Sequence, residues 1–245
     1  MKKVAICLKG AVSKIGSVVH DRFYKKNDLY KSGEYIDYVK VRNSIFKHIV
    51  NANADCEFDF FLHGWNLDLE NELVNLYKPK TYLFEDNNIY NEEISSLISD
   101  PSDFGGISSG LSIKKSLQLK EDCEEENDMK YDIIIIYRYD VLLCTDMILK
   151  SYDVNRAIYV NSWNGSRLAD FHFVMSSNNA IEFKYLYDSV LSHNNKHKFH
   201  SWIFNYIVNI MKCDLKEDNV KAGIHQEIMR AIVPDSNLFP ILSKY

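Results

Sequence analysis

Arg138-Tyr139-Asp140 follows directly on a run of four isoleucines, Ile133 to Ile136, and Tyr137. Consecutive β-branched residues fit a strand buried on both faces, as in a parallel sheet. The carboxyl ends of such strands are where open α/β sheets bind ligands. An arginine there can grip phosphate through its planar fork, and an aspartate can hold a divalent cation against a diphosphate. The residue types therefore point to a nucleotide-sugar site. The competing reading is a structural ion pair, but two charges just beyond an all-apolar strand need partners, and the crevice is the natural place for them.

Asp170 precedes the apolar stretch Phe171 to Met175. It could deprotonate an acceptor hydroxyl as a general base, or simply cap a turn. Asp146 is a weaker candidate of the same kind, set against the reading of a turn residue. Lys9 and Gly10 open a loop of small residues and lysines, Lys9 to Gly16, after the apolar strand Val4 to Leu8. That loop suits phosphate or base contacts, or else is an ordinary βα turn. His63 and Trp65 end a second apolar stretch, Phe58 to Trp65, and either line the same crevice or, for Trp65, pack in the core.

Other constellations carry less. Gly105-Gly106-Ile107-Ser108-Ser109-Gly110-Leu111-Ser112 approaches a P-loop, but Leu111 stands where the phosphate-gripping lysine is needed. The segment reads as a turn and helix cap. His193, His197 and His200 have the spacing of one helix face, yet the intervening asparagines and lysines favour a surface cluster over a metal site.

The elements that must position these residues alternate. After the first strand, residues 20–34 read as a polar loop and a helix runs to about residue 51. Leu69 to Tyr77 forms a short helix stopped by Pro79, and Thr81 to Phe84 a third strand. Ser108 to about Lys120 is a helix, Glu121 to Asp128 a charged surface hinge, and the isoleucine strand follows. In the second half Ala157 to Val160 and Phe171 to Met175 read as strands. Asn178 to about Leu191 and Phe199 to Met211 read as helices, and the tail from Val220 is irregular with room for one strand. Alternation of β and α through residue 140 means a parallel sheet flanked by helices. The expected fold is a single α/β domain with a mostly parallel, Rossmann-like sheet. Residues 1–140 form a nucleotide-sugar-binding half and 141–245 a less regular acceptor-binding half.

Bulk properties narrow the class. A net charge of −5 argues against wholesale nucleic-acid binding. Five cysteines without a Cys-x-x-Cys suit reduced thiols in a cytosol. Neither a signal-peptide core nor a membrane-length apolar run is present. The expectation is a cytoplasmic protein, with peripheral membrane association left open.

Taken in order, these landmarks resemble the WavE-like, GT-A-type family of bacterial and large-virus polysaccharide glycosyltransferases. The resemblance covers about residues 3–180. It is carried by Ile6-Cys7-Leu8-Lys9-Gly10, by Asp59-Phe60-Phe61-Leu62-His63-Gly64-Trp65, and by Tyr77-Lys78-Pro79-Lys80 with Glu85. Ser112-Ile113-Lys114-Lys115 and Tyr131 to Asp140 complete it. The resemblance implies a GT-A-like fold and transfer of a sugar from a nucleotide-diphosphate donor to a glycan, lipid-linked or protein acceptor. Lys9, Gly10, His63, Trp65, Arg138 and Tyr139 would then bind the donor, and Asp140 and Asp170 would be catalytic. Arg138-Tyr139-Asp140 would occupy the place of an Asp-x-Asp motif, with Asp140 the ligand of a Mn²⁺ or Mg²⁺ ion. Arg138 replaces the first carboxylate of that motif, which leaves metal dependence open. The rival to an enzyme is a module of the same fold that binds a nucleotide or glycan without turning it over.

Overall fold

A computed structural model describes residues 1–14, 35–161, 163–165, 167–192, 198–220 and 226–228. Its strands are β1 (Lys2–Lys9), β2 (Cys56–Gly64), β3 (Thr81–Phe84), β4 (Ile133–Arg138) and β5 (Val141–Leu143), followed by β6 (Ala157–Val160), β7 (Trp163–Asn164) and β8 (Arg167–Leu168). The last three are β9 (His172–Met175), β10 (Asp214–Glu217) and β11 (Gln226–Ile228). The helices are α1 (Tyr38–Ile45), α2 (Glu70–Tyr77), α3 (Asn91–Leu97), α4 (Phe104–Glu126), α5 (Ser177–Phe183), α6 (Leu186–Ser192) and α7 (Phe199–Asn205).

Seven strands form one sheet in the order β10-β6-β9-β4-β1-β2-β3. All run parallel except β9, which is antiparallel to both neighbours. The mostly parallel, Rossmann-like sheet expected from the sequence is therefore the one observed, and it draws strands from both halves of the chain. Two short antiparallel pairs, β5 with β11 and β7 with β8, lie outside it.

The isoleucine strand alternates as a buried strand must. Ile134 and Ile136 face one apolar layer, with α4, α6 and α7. Ile133, Ile135 and Tyr137 face the other, with α1 and α2. All four isoleucines are fully buried, each contributing about 1.5–3 kcal/mol by removal from water. From β1 the chain builds outward to β2 and β3, then returns to place β4 on the opposite side of β1. The boundary between β1 and β4 is thus a topological switch point, and the carboxyl ends of strands at such a point are where open α/β sheets bind ligands.

Several expectations need correction. The helix expected over Ser108 to Lys120 runs from Phe104 to Glu126, so most of the presumed hinge is helix. Its Glu124 is buried beside Lys120, one turn earlier, at 2.8 Å; the carboxylate also accepts from Ser177 Oγ at 2.7 Å and the Tyr131 backbone N–H at 2.9 Å. Asp122 and residues 125–128 are exposed, as their charge suggests, but Glu124 with its paired charge is satisfied inside. The P-loop-like stretch is likewise helical, and its glycines serve packing. Gly106 and Gly110 lie one turn apart against Phe199 of α7. The helix expected from Asn178 to Leu191 is two, α5 and α6, and the cap of α5 is Ser176, whose Oγ accepts from Asn179 N–H. The edge strand β10 has no periodic signature and was not anticipated. The loop expected over residues 20–34 lies outside the described residues, as do His193 and His197. Among the described residues no helix is long and apolar enough to cross a membrane.

Helix propensity alone would make Gly110→Ala stabilising by about 1 kcal/mol. Packing reverses the sign, because the added methyl would lie 2.7 Å from the Phe199 ring. We expect a net loss of about 1–3 kcal/mol in urea unfolding, with recovery when Phe199→Leu is combined with it. A more stable single variant would show that α4 and α7 do not meet here.

Candidate functional site

Lys9 and Arg138 are register partners on the adjacent strands β1 and β4, at the carboxyl end of each. Parallel neighbours stand about 4.8 Å apart, so the fold sets two cations side by side. Two carboxylates hold them there. Asp140 takes Arg138 in a two-pronged grip, Nε to Oδ1 at 2.8 Å and Nη2 to Oδ2 at 2.9 Å. Asp170 bridges both cations, accepting from Arg138 Nη1 at 2.9 Å and Lys9 Nζ at 2.8 Å. It can do so because β9 runs against β4, which brings the residues before β9 to the ends of the parallel strands. Ser13 Oγ donates to Asp140 at 2.9 Å, and Ser109 of α4 donates to Asp170 at 2.9 Å while accepting from Lys9.

Lys9, Asp140 and Asp170 are each at most 5% exposed, whereas the Arg138 side chain keeps 15%. The guanidinium is thus the member of the cluster that solvent reaches. Three of its five N–H groups hold the two aspartates, which leaves one on each terminal nitrogen. Its underside lies over the Phe171 ring at 5.7 Å.

Burial and charge act against each other here. Burial opposes ionisation of Asp170, but Lys9, Arg138 and His200 outweigh it and hold the carboxyl well below its usual range. Burial lowers Lys9, only partly offset by Asp170. Burial also works against the Arg138 cation, yet Asp170 and Asp140 raise its pKa. In this arrangement Asp170 holds both cations, one through each oxygen.

A second network fixes the loop after β1. Gly10 has φ +95°, a left-handed turn that favours glycine. Its N–H donates to Ser112 Oγ at 2.7 Å, and Ser112 stands 2.6 Å from Nδ1 of the fully buried His63. His63 Nε2 lies 3.1 Å from Glu85, which also binds Lys115 at 2.7 Å and Tyr90 Oη at 2.9 Å. The donors run one way: Gly10 to Ser112, Ser112 to His63, and His63 Nε2–H to Glu85. Beyond β2, the Trp65 N–H donates to Gly10 O at 3.1 Å. Asn66 Oδ1 accepts from Val12 N–H at 2.7 Å. The Trp65 ring stands edge-on between His63 and Tyr90.

Lys9, Gly10, His63, Trp65, Arg138, Asp140 and Asp170 thus gather at one end of the sheet. Tyr139 does not join them. It is buried in the opposite apolar layer with its ring 6.3 Å from Tyr77, because its side chain falls on the other face from Arg138. Asp146 binds His48 at 2.6 Å, apart from the cluster. Ser13, Ser109, Ser112, Asn66 and Glu85 were not singled out as site residues. Ser109 and Ser112 are three apart on one helix face, a signal masked by the glycines between and before them.

The donor set does not fit a resident Mn²⁺ or Mg²⁺ ion. Hard divalent cations need several free oxygens, and each carboxylate oxygen of Asp140 and Asp170 already faces Arg138 or Lys9. Among the described residues no three His, Cys, Asp or Glu side chains converge.

His63 supplies a test of the relay. Burial pushes its pKa down from 6.5 to about 4, against the pull of Glu85. Between those values the unfolded chain binds the extra proton, so stability present above about pH 6.5 is lost as pH falls toward 4, by on the order of 3 kcal/mol. In urea unfolding from about pH 7 to about pH 4, His63→Gln should show a flatter loss than wild type. Equal slopes would mean that His63 is not held neutral.

No family model matches the sequence, and no curated protein matches it. Among solved structures the chain matches a glycosyltransferase involved in the glycosylation of the major capsid of PBCV-1. The two are 8% identical over 90% of this chain and 83% of that one, with a TM-score of 0.39.

Proposed function

We propose that this protein is a glycosyltransferase that moves a sugar from a nucleotide-diphosphate donor to a glycan, lipid-linked or protein acceptor. The observation that carries the reading is the paired Lys9 and Arg138 at the switch point of the sheet, held by Asp140 and Asp170. Two fixed cations in a largely water-excluded crevice are what a departing diphosphate needs. They are worth more there than in water and need no reorganisation as charge develops.

In this mechanism the two uncommitted N–H groups of Arg138 meet the diphosphate in a fork, and Lys9 adds charge from the neighbouring strand. The acceptor oxygen forms the new bond to the anomeric carbon. The bond from that carbon to the diphosphate oxygen breaks, its electron pair leaves with the diphosphate, and the proton of the acceptor hydroxyl passes to the departing diphosphate. Asp140 keeps the guanidinium plane in register. The loop from Gly10, anchored by the His63 relay, and the ring of Trp65 form the donor side. Residues 141–245 form the acceptor side, and the reaction takes place in the cytoplasm. Because guanidinium and ammonium do the neutralising, donor binding requires no divalent cation.

A second reading is a non-catalytic nucleotide or glycan binder of the same fold. One observation favours it: neither Asp140 nor Asp170 is left uncommitted to serve as a base.

Thermal-shift screening of UDP-, GDP-, CMP- and dTDP-sugars, with EDTA or Mn²⁺, should reveal a stabilising donor whose effect is the same in both. Binding seen only with Mn²⁺ would overturn the cation-based mechanism. With that donor, Asp140→Asn should lower the transfer rate by about 10²–10³ while the circular dichroism spectrum is retained. Full activity in Asp140→Asn would remove Asp140 from the mechanism. Donor binding without turnover would favour the second reading.

A further inference from the structure

Sugar transfer moves one proton from the acceptor hydroxyl to the departing diphosphate. Each carboxylate oxygen of Asp140 and Asp170 already faces Arg138 or Lys9. A basic atom beside them is uncommitted. His200 Nδ1 is buried and has no hydrogen-bond partner. Sealing an imidazole nitrogen away unpaired costs the free protein stability, so the group calls for a reason, and a catalytic role is one such reason.

Packing brings this ring to the charge cluster, on the cluster's own face of the sheet. Ala5 and Cys7 of β1, and Ile134 and Ile136 of β4, face the layer that holds α4 and α7. Lys9 and Arg138 continue that alternation. His200 lies in the first turn of α7, next to Phe199. Phe199 packs on Gly106 and Gly110 of α4. Between those glycines stands Ser109, which donates to Asp170 and accepts from Lys9. From the other side α7 packs against β8, which ends at Leu168, just before Asp170. Both sets of contacts lead His200 to the same carboxylate, and with Lys9 and Arg138 it holds that carboxyl below its usual range. The ring as a whole is only half-buried, so Nδ1 is its inward side.

We propose that His200 carries the acceptor proton, Nδ1 taking it from the hydroxyl and releasing it to the diphosphate. This rests on the reading that a nucleotide sugar binds with its diphosphate at Arg138 and Lys9. The ring starts neutral, with its hydrogen on Nε2 and a lone pair on Nδ1. As the acceptor oxygen bonds to the anomeric carbon, its proton moves to Nδ1 and the O–H electron pair stays on that oxygen. The bond from the carbon to the diphosphate oxygen breaks, and its electron pair leaves with the diphosphate. The imidazolium then gives its proton to a diphosphate oxygen and is neutral again. Asp170 stabilises the transient imidazolium from the interior, where opposite charges attract most strongly. The acceptor reaches Nδ1 with a shift of surrounding side chains, as is common on binding.

The test compares wild type with His200→Ala and His200→Gln. Release of nucleoside diphosphate from UDP-, GDP- and dTDP-sugars is measured with water as the acceptor, and melting is measured with each nucleoside diphosphate. Both variants should bind the diphosphate as wild type does, since Lys9 and Arg138 are untouched. Release should fall by about 10²–10⁴ in each. Added imidazole should restore much of the rate in His200→Ala, where space is left for it, and not in His200→Gln, where the side chain fills that space. Wild-type release from a folded variant, or no response of folded His200→Ala to imidazole, overturns the proposal and leaves the diphosphate site intact. If His200→Ala does not fold, His200→Gln decides: loss of release with the diphosphate still bound supports the proposal. Loss of the fold in both variants makes the ring a support for α7 and overturns it. A wild type that binds a donor without releasing diphosphate has no proton to carry, which also overturns it in favour of the second reading. If no nucleotide shifts wild type, the glycosyltransferase reading fails and this proposal fails with it.

Discussion

The guanidinium of Arg138, clasped by Asp140 and Asp170, is the interaction on which the rest of this architecture turns. Four charges lie at the edge of an apolar sheet, and they are tolerable there only as a closed set. Removing Asp170 would leave the buried Lys9 without its carboxylate partner, at a cost of about 3–5 kcal/mol. The set can close only because three strands running in two opposite directions deliver it. Strands β1 and β4 arrive in parallel with their cations, and the reversed β9 starts where they end. Helix α4 then supplies Ser109 from the face above.

Helix α4 couples the two hydrogen-bonded systems at this edge. Its Ser109 touches the charge cluster, while Ser112, one turn on, joins the loop after β1 to His63 and Glu85. The helix reaches the strand ends because small residues line its first turns, and Phe199 fills the space that Gly106 and Gly110 leave. The position of α7, and with it His200, follows from the same pair of glycines.

Much of this was legible in the sequence, for identifiable reasons. The isoleucine run and its Arg-x-Asp ending announced a buried strand and a crevice, because four β-branched residues have few other places to go. Lys9, Gly10, His63 and Trp65 could be grouped because each ends an apolar stretch. The failures have equally physical causes. Tyr139 sat between two site residues in sequence, but consecutive side chains point to opposite faces. Glu121 to Glu126 read as solvent-exposed because the Lys120–Glu124 pairing that lets one of them go inside is invisible until α5 is in place. The role of Asp170 turned on partners far away along the chain, which no local pattern encodes.

The position of β1 in the sheet has a consequence for how the chain is made. Strand β1 precedes both of its neighbours in the chain, yet it is an interior strand, flanked by β2 and β4. Its inner edge is sealed only when residues around Asp132 appear, and the Lys3 backbone N–H meets the Asp132 carboxylate across 129 residues of chain. At about 5–20 residues per second, that edge stays open for roughly 6–26 s of synthesis. During this interval an apolar strand offers unpaired backbone to its surroundings, the condition under which nascent chains need chaperones. The same topology that places two cations side by side at the switch point makes β1 wait for β4.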